Sequence, residues 1–264
     1  MPSIDVNSTR IAYEEAGQGP AVLLLHAGIA DRRMWSSTIR ELARDFRAIA
    51  PDHRGFGDSP IGPGRFCWTA DLLGLMDALD IERAHLVGVS MSVHVTLDLA
   101  LAHPDRVDRL VLVGGGLEGW DYEPEMDAVD EAETEAFEKG DFETAAWAQV
   151  RFWLDGPDRT ADEVDPEIRR LVYDMQLNAY KIDDPSAEVS WLVSEYRSRL
   201  GEIKAPTLVL AGSLDRVDMR RIAPVLAAEI PGARYQQLQG VAHLPPLEDP
   251  EGFAAVVRPF LLEP

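Results

Sequence analysis

Short apolar runs alternate with longer amphipathic segments along this chain, and that alternation narrows its folds more than any other feature. The runs fall at 21–25, 47–50, 84–89, 109–113, 207–211 and 233–238. Segments with helical periodicity lie at 35–44, 70–79, 95–102, 219–230 and 253–262. Such alternation predicts a mostly parallel sheet with helices on both faces, an α/β fold. Ile4 to Val6 and Arg10 to Glu14, separated by Asn7-Ser8-Thr9, read as an antiparallel hairpin at one edge. The expected sheet therefore has eight strands.

The alternation stops between Leu117 and Leu200. This stretch shows no strand pattern, and its periodicity is helical around Phe137, Phe142, Trp147, Phe152 and Trp153, then around Leu171, Met175 and Leu177. The expected organisation is a core of residues 1–116 and 201–264, with a helical insert, 117–200, after the sixth strand. Its acidic run from Glu118 to Glu135 reads as the solvated face of helices. The alternative role, attraction of cationic substrates, is the weaker reading. Its aromatic residues read mainly as packing, with some of Trp120, Trp147, Trp153 and Trp191, and Trp147 and Trp153 first among them, as candidates to line a substrate pocket, since such pockets are chiefly apolar.

Within this frame one turn carries chemistry. Gly88-Val89-Ser90-Met91-Ser92 joins the apolar run at 84–89 to a helical segment. A serine at the tip of such a turn has its hydroxyl pushed outward, and the next amide points the same way. Small residues are wanted two positions before and after, where strand and helix backbones converge. A serine after a strand is ordinarily structural, so partners decide the matter. Asp215 follows the run Thr207 to Ala211, and His243 lies between Gly240 and Pro245-Pro246 after the last run. Ser90, Asp215 and His243 each follow a strand, in the order nucleophile, acid, base. Asp218, three residues beyond Asp215, is the competing acid; the Gly212-x-x-Asp215 spacing favours Asp215.

At these residues the chain resembles the α/β-hydrolase superfamily over nearly its whole length. Leu24-Leu25-His26-Ala27-Gly28 is similar to that family's loop after the third strand. Pro51-Asp52-His53-Arg54-Gly55-Phe56-Gly57-Asp58-Ser59 is similar to its D-x-R-G-x-G-x-S turn, and Ala102-His103-Pro104-Asp105-Arg106-Val107 to the end of the helix behind the nucleophile. With Met34-Trp35 after the loop, it looks closest to small esterases and lactonases of the 3-oxoadipate enol-lactone hydrolase kind. The resemblance implies that the helical insert is a cap. It also implies an acyl-enzyme on Ser90, proton transfer by His243 oriented by Asp215, and an oxyanion hole from the amides of Gly28 and Met91. No metal or organic cofactor is implied, and the expected partner is an apolar ester or lactone. His26 would shape the oxyanion loop.

Three residues depart from the pattern. Ser92 and Val93 stand where related sequences carry glycine, and His94 opens the helix behind the nucleophile. Either small neighbours compensate, or the site is reshaped. His53 occupies a position more often apolar, with no role evident from the sequence.

Composition limits the rest. A formal charge of −21 argues against nucleic acid or anionic membrane as partner. The single Cys67 excludes an intramolecular disulfide and a multi-cysteine zinc site. No signal peptide or membrane span is visible, so a cytoplasmic monomer or homodimer is expected. Carbon–carbon bond hydrolysis or perhydrolysis would use the same three residues. A binding protein that had lost turnover is the rival from another class, although it would have no need of all three groups.

Overall fold

The computed structural model describes residues 2–62 and 64–264. Eight strands form the main sheet: β1 (Ser3–Val6), β2 (Thr9–Ala16), β3 (Ala21–Leu25), β4 (Arg47–Pro51), β5 (Ala84–Val89), β6 (Val107–Val113), β7 (Thr207–Gly212) and β8 (Arg234–Leu238). Their order is β1-β2-β4-β3-β5-β6-β7-β8. β2 runs antiparallel to β1 and β4, and every other neighbouring pair is parallel. Asn7 and Ser8 take φ of 46° and 63°, closing the hairpin with a two-residue turn between Val6 and Thr9.

Side chains alternate across the central strands, as a pleated sheet requires. Leu23, Leu25, Leu86, Leu110 and Leu112 pack with Leu72, Leu75, Val95, Leu99, Ile222 and Leu226 on one face. Val22, Leu24, Val87, Val89, Val111 and Val113 pack with Ile39, Leu42, Phe253, Val257 and Phe260 on the other. Both faces are covered, which explains why these strands read as continuous apolar runs. The register aligns Leu25 with Gly88, Gly88 with Leu112, and Val113 with Leu210. The carboxyl ends of β3, β5, β6 and β7 therefore lie along one edge, where open parallel sheets carry their ligand-facing loops.

The helices Trp68–Ala78, Val217–Glu229 and Pro250–Leu261 lie within a few residues of their expected positions. The stretch expected as a helix at 35–44 is instead a 3₁₀ turn, Arg32–Trp35, followed by the short helix Thr38–Leu42. Between β6 and β7 the chain forms the helices Pro124–Glu138, Phe142–Gln149 and Pro166–Ile182. One expectation is corrected there: Ala187–Val189 is a strand, paired in parallel with Gly64–Phe66. At three residues it is too short for periodicity to reveal, and its partner lies over a hundred residues away. None of the described helices is long and apolar enough to cross a membrane.

The junction of β5 with the helix Met91–Ala102 is tightly packed. A methyl group on Gly88 would stand 2.3 Å from Thr96 Oγ1 and 2.6 Å from the Ser92 carbonyl oxygen. Gly88→Ala is accordingly expected to destabilise the protein by about 1–3 kcal/mol, the usual range for overpacking. Urea unfolding followed by circular dichroism measures this, and an unchanged midpoint would contradict the packing argument.

Candidate active site

Ser90 sits between the end of β5 and the first residue of the helix, with φ 56° and ψ −116°. A positive φ in a residue with a side chain costs about 1–3 kcal/mol and persists only where its surroundings enforce it. Here the Ser90 amide donates to the Val113 carbonyl at 2.8 Å, and the Val93 amide donates to the Ser90 carbonyl at 2.9 Å. The departures beside it are compensated. Val93 fills space left by Gly115, where a methyl group would meet Val93 Cγ1 at 2.5 Å.

Ser92 and His53 compensate each other. The Ser92 hydroxyl donates to the His26 carbonyl, and its single proton is thereby spent. His53 Nε2, 2.8 Å from Ser92 Oγ, must then be the donor. The His53 amide in turn donates to His26 Nε2 at 3.0 Å, which leaves the His26 proton on Nδ1, facing the Ala27 carbonyl at 2.8 Å. Burial holds both imidazoles below their ordinary pKa, so both are neutral as these assignments require. Ser92 and His53 thus tie the loop after β3 to the nucleophile turn and to the Asp52–Ser59 turn. Neither could be interpreted from the sequence alone, because the bond joins positions 39 residues apart.

The loop itself brings Gly28 against Met91. A methyl group on Gly28 would lie 3.5 Å from Met91 Cβ. The Ala27 amide is turned aside to Met34 Sδ at 3.4 Å. Among the described residues, the Gly28 and Met91 amides have no hydrogen-bond partner.

Asp215 and His243 meet beyond the ends of β7 and β8. His243 Nδ1 lies 3.0 Å from both Asp215 carboxylate oxygens, and both residues are buried. Gly114, at φ 56°, leaves the space they occupy: a methyl group there would be 3.2 Å from Asp215 Oδ2 and from His243 Nδ1. His243 Nε2 is buried without a hydrogen-bond partner among the described residues, and Ser90 Oγ is not yet bonded to it. Catalytic contacts of this kind often tighten only when substrate arrives. Asp218 is used elsewhere, accepting from Trp120 Nε1 at 3.1 Å and the Glu123 amide at 3.0 Å.

Glu248 was not singled out by the sequence. Its carboxylate accepts from the amides of Ala242 and Leu244 on either side of His243, and pairs with Arg159 of the insert at 2.7 Å. Burial raises its pKa against these stabilising partners. The side chain fixes the histidine loop from behind.

A cavity of about 510 Å³ opens over Ser90 and Met91. Trp153 and Trp191 line it, with His94 on one wall and Glu118 at the rim. Trp153 lies in a π-helical turn, Val150–Asp155, with its ring 4.2 Å from the His243 ring. The expectation for Trp147 is corrected: its ring stacks on Tyr173 at 4.4 Å, under Arg169, and is 37% exposed away from this cavity. Six residues of helix separate the two tryptophans and send them in different directions. No lysine or arginine lines the cavity among the described residues. Cys67 lies outside it, and burial raises its thiol pKa, away from thiolate reactivity.

The sheet order, the strained serine after β5 and the paired Asp–His loops at the same edge are features of α/β-hydrolase folds. Residues 20–250 match the family model described as alpha/beta hydrolase fold, and the chain belongs to that family. It is 33% identical to a 2-hydroxy-6-oxo-6-phenylhexa-2,4-dienoate hydrolase of Comamonas testosteroni, over 80% of this chain and 77% of that protein. It is 28% identical to a 2-hydroxymuconate semialdehyde hydrolase of Pseudomonas sp. strain CF600, over 96% and 91% of the two chains. Among solved structures, the enol-lactonase from Burkholderia xenovorans LB400 superposes with a TM-score of 0.82 at 27% identity, covering 99% of this chain and 100% of the other.

The histidine network yields two predictions. In a double-mutant cycle on stability, Ser92→Gly and His53→Leu should couple by about 1 kcal/mol or more, because removing one partner already strands the other. Additive losses in urea unfolding would contradict the bond. Stability should also fall on acidification from pH 7.5 to 5.5. The buried His26, His53 and His85 and the half-buried His94 have lowered pKa values, so below about 6.5 the unfolded chain binds more protons than the folded one. The thermal midpoint should drop across this window, and less steeply in His53→Gln.

Proposed function

We propose that this chain is a serine hydrolase of a neutral, largely apolar ester or lactone. Ser90 attacks the carbonyl carbon while His243 Nε2 takes its proton, with Asp215 fixing the imidazole tautomer and stabilising the imidazolium. The Gly28 and Met91 amides receive the oxyanion; one such donor is typically worth about 3 kcal/mol of barrier. His243 returns the proton to the leaving alkoxide, and the acyl group remains on Ser90. Water, deprotonated by the same histidine, then releases the carboxylic acid. In this reading residues 117–200 act as a cap: they supply Trp153 and Trp191 to the cavity and hold the histidine loop through Arg159, but contribute none of the three reacting groups.

The observation that carries the ester or lactone reading is the cavity lining. It pairs aromatic and methionine side chains with Glu118 at the rim and includes no lysine or arginine among the described residues. The relatives named as dienoate hydrolases keep open a second reading, carbon–carbon bond cleavage with the same three residues. A dienoate carries a carboxylate, and burying an unpaired carboxylate in such a lining is unfavourable. That favours the neutral substrate.

Hydrolysis of p-nitrophenyl butyrate compared with 2-hydroxy-6-oxo-6-phenylhexa-2,4-dienoate distinguishes the two. The expected outcome is higher kcat/KM on the ester, lost in Ser90→Ala. Higher kcat/KM on the dienoate would replace this reading with carbon–carbon hydrolysis. Asp215→Asn should lower kcat by about 10⁴-fold, through the wrong histidine tautomer. Asp218→Asn should cost far less, since that carboxylate anchors Trp120 and the Glu123 amide.

A further inference from the structure

His94 places an imidazole in the wall of the Ser90 cavity, and the proposed chemistry does not use it. It lies on the helix Met91–Ala102, one turn beyond Ser90. Its ring stacks on Trp191 with centroids 3.5 Å apart and planes 15° from parallel, and tilts against Tyr196 at 4.5 Å. Both neighbours are themselves held. The amides of Leu192 and Val193, following Trp191, donate to the buried Asp98 carboxylate at 3.1 and 2.7 Å. Tyr196 Oη accepts from the Glu118 amide at 2.8 Å.

The imidazole is thus fixed in orientation by ring contacts rather than by hydrogen bonds. Among the described residues neither ring nitrogen has a hydrogen-bond partner, neither is sealed from solvent, and the residue lines the cavity. Burial keeps the ring neutral against the opposing influence of Asp98 and Glu118, so it offers one donor and one acceptor.

We infer that His94 is a specificity-determining residue that reads a neutral polar group, a ketone, hydroxyl or amide, on the acyl half of the substrate. This rests on the proposed acyl-enzyme at Ser90. The alcohol must leave on the His243 side, where it collects a proton, so the acyl half is left to extend along the helix toward His94. Four residues of helix place the two positions about 6 Å apart along its axis. The polar group therefore belongs several bonds from the ester carbon, beyond the reach of an acetyl or propionyl chain.

The test uses p-nitrophenyl esters with a ketone at carbon 4, 5 or 6 of the acyl chain, each paired with the ester bearing a methyl branch at the same carbon. At the best position the wild type should favour the ketone by about 10-fold or more in kcat/KM, as expected when a site's polar group is otherwise left unpaired. His94→Phe, which keeps the stacking, should collapse that ratio, and His94→Gln, which keeps a donor and an acceptor, should restore part of it. No ketone preference at any position in the wild type, or an unchanged ratio in His94→Phe, overturns the inference. A preference found only with ketones in the alcohol half overturns the acyl assignment.

Nitrogen NMR of the His94 ring in Ser90→Ala, with 5-oxohexanamide against 5-methylhexanamide, gives a readout independent of turnover. A shift caused by the ketone alone supports the inference even if no ester is hydrolysed, in which case it is the hydrolase reading that falls. No shift with either amide counts against His94.

Discussion

The close approach of β5 to the helix Met91–Ala102 is the constraint on which the active edge depends. With Gly88 beneath Thr96 and the Ser92 carbonyl, the chain can turn from strand to helix within one residue, and that residue is Ser90. The turn forces a positive φ on the serine, points its side chain away from the sheet, and exposes the Met91 amide beside it. A looser connection would relieve the strain but lose the shared direction of hydroxyl and amide. Everything else at this edge is arranged around a fixed Ser90: Gly28 approaches Met91 from one side, and the Asp215–His243 pair comes in past Gly114.

The space created by glycine at 88, 114 and 115 has counterparts in bulk and hydrogen bonding at 92, 93 and 53. Val93 occupies what Gly115 leaves open, and Ser92 uses its extra oxygen to join His26 and His53. A glycine at 92 would leave His53 Nε2 without this partner, and an apolar residue at 53 would leave Ser92 with only the carbonyl. The two departures from the family pattern are one feature seen twice. The histidines involved stay neutral because they are buried, so the tie between loops acts through directed hydrogen bonds and not through charge.

Three buried or part-buried carboxylates help to hold the insert between β6 and β7 over the site. Arg159 pairs with Glu248 behind His243, Asp98 accepts from the amides after Trp191, and Asp218 holds Trp120 and the Glu123 amide. Each joins a group of the insert to a carboxylate outside it, and Asp98 and Asp218 are buried. Buried carboxylates satisfied by several donors are costly to disrupt, because loss of the donors leaves a desolvated charge behind. This is how a segment rich in acidic surface residues can still present Trp153 and Trp191 at fixed positions over Ser90.

The sequence by itself determined the eight strands, the break between Leu117 and Leu200, and the order Ser90, Asp215, His243. These depend on local periodicity and on residues whose chemistry is legible one at a time. It also favoured Asp215 over Asp218, and the structure places the Asp215 carboxylate against His243 Nδ1 where the loops after β7 and β8 meet. What it left undecided was settled by contacts between distant segments. The Ser92–His53 bond, the pairing of Arg159 with Glu248 behind His243, and the strand at 187–189 each require partners that no local pattern announces. Two of the insert's tryptophans make the point most simply. Trp147 and Trp153 share one apolar-aromatic pattern, yet the π-helical turn at Val150–Asp155 carries Trp153 over His243, while Trp147 stays outside against Tyr173. Only tertiary packing determines which face of that pattern the cavity uses.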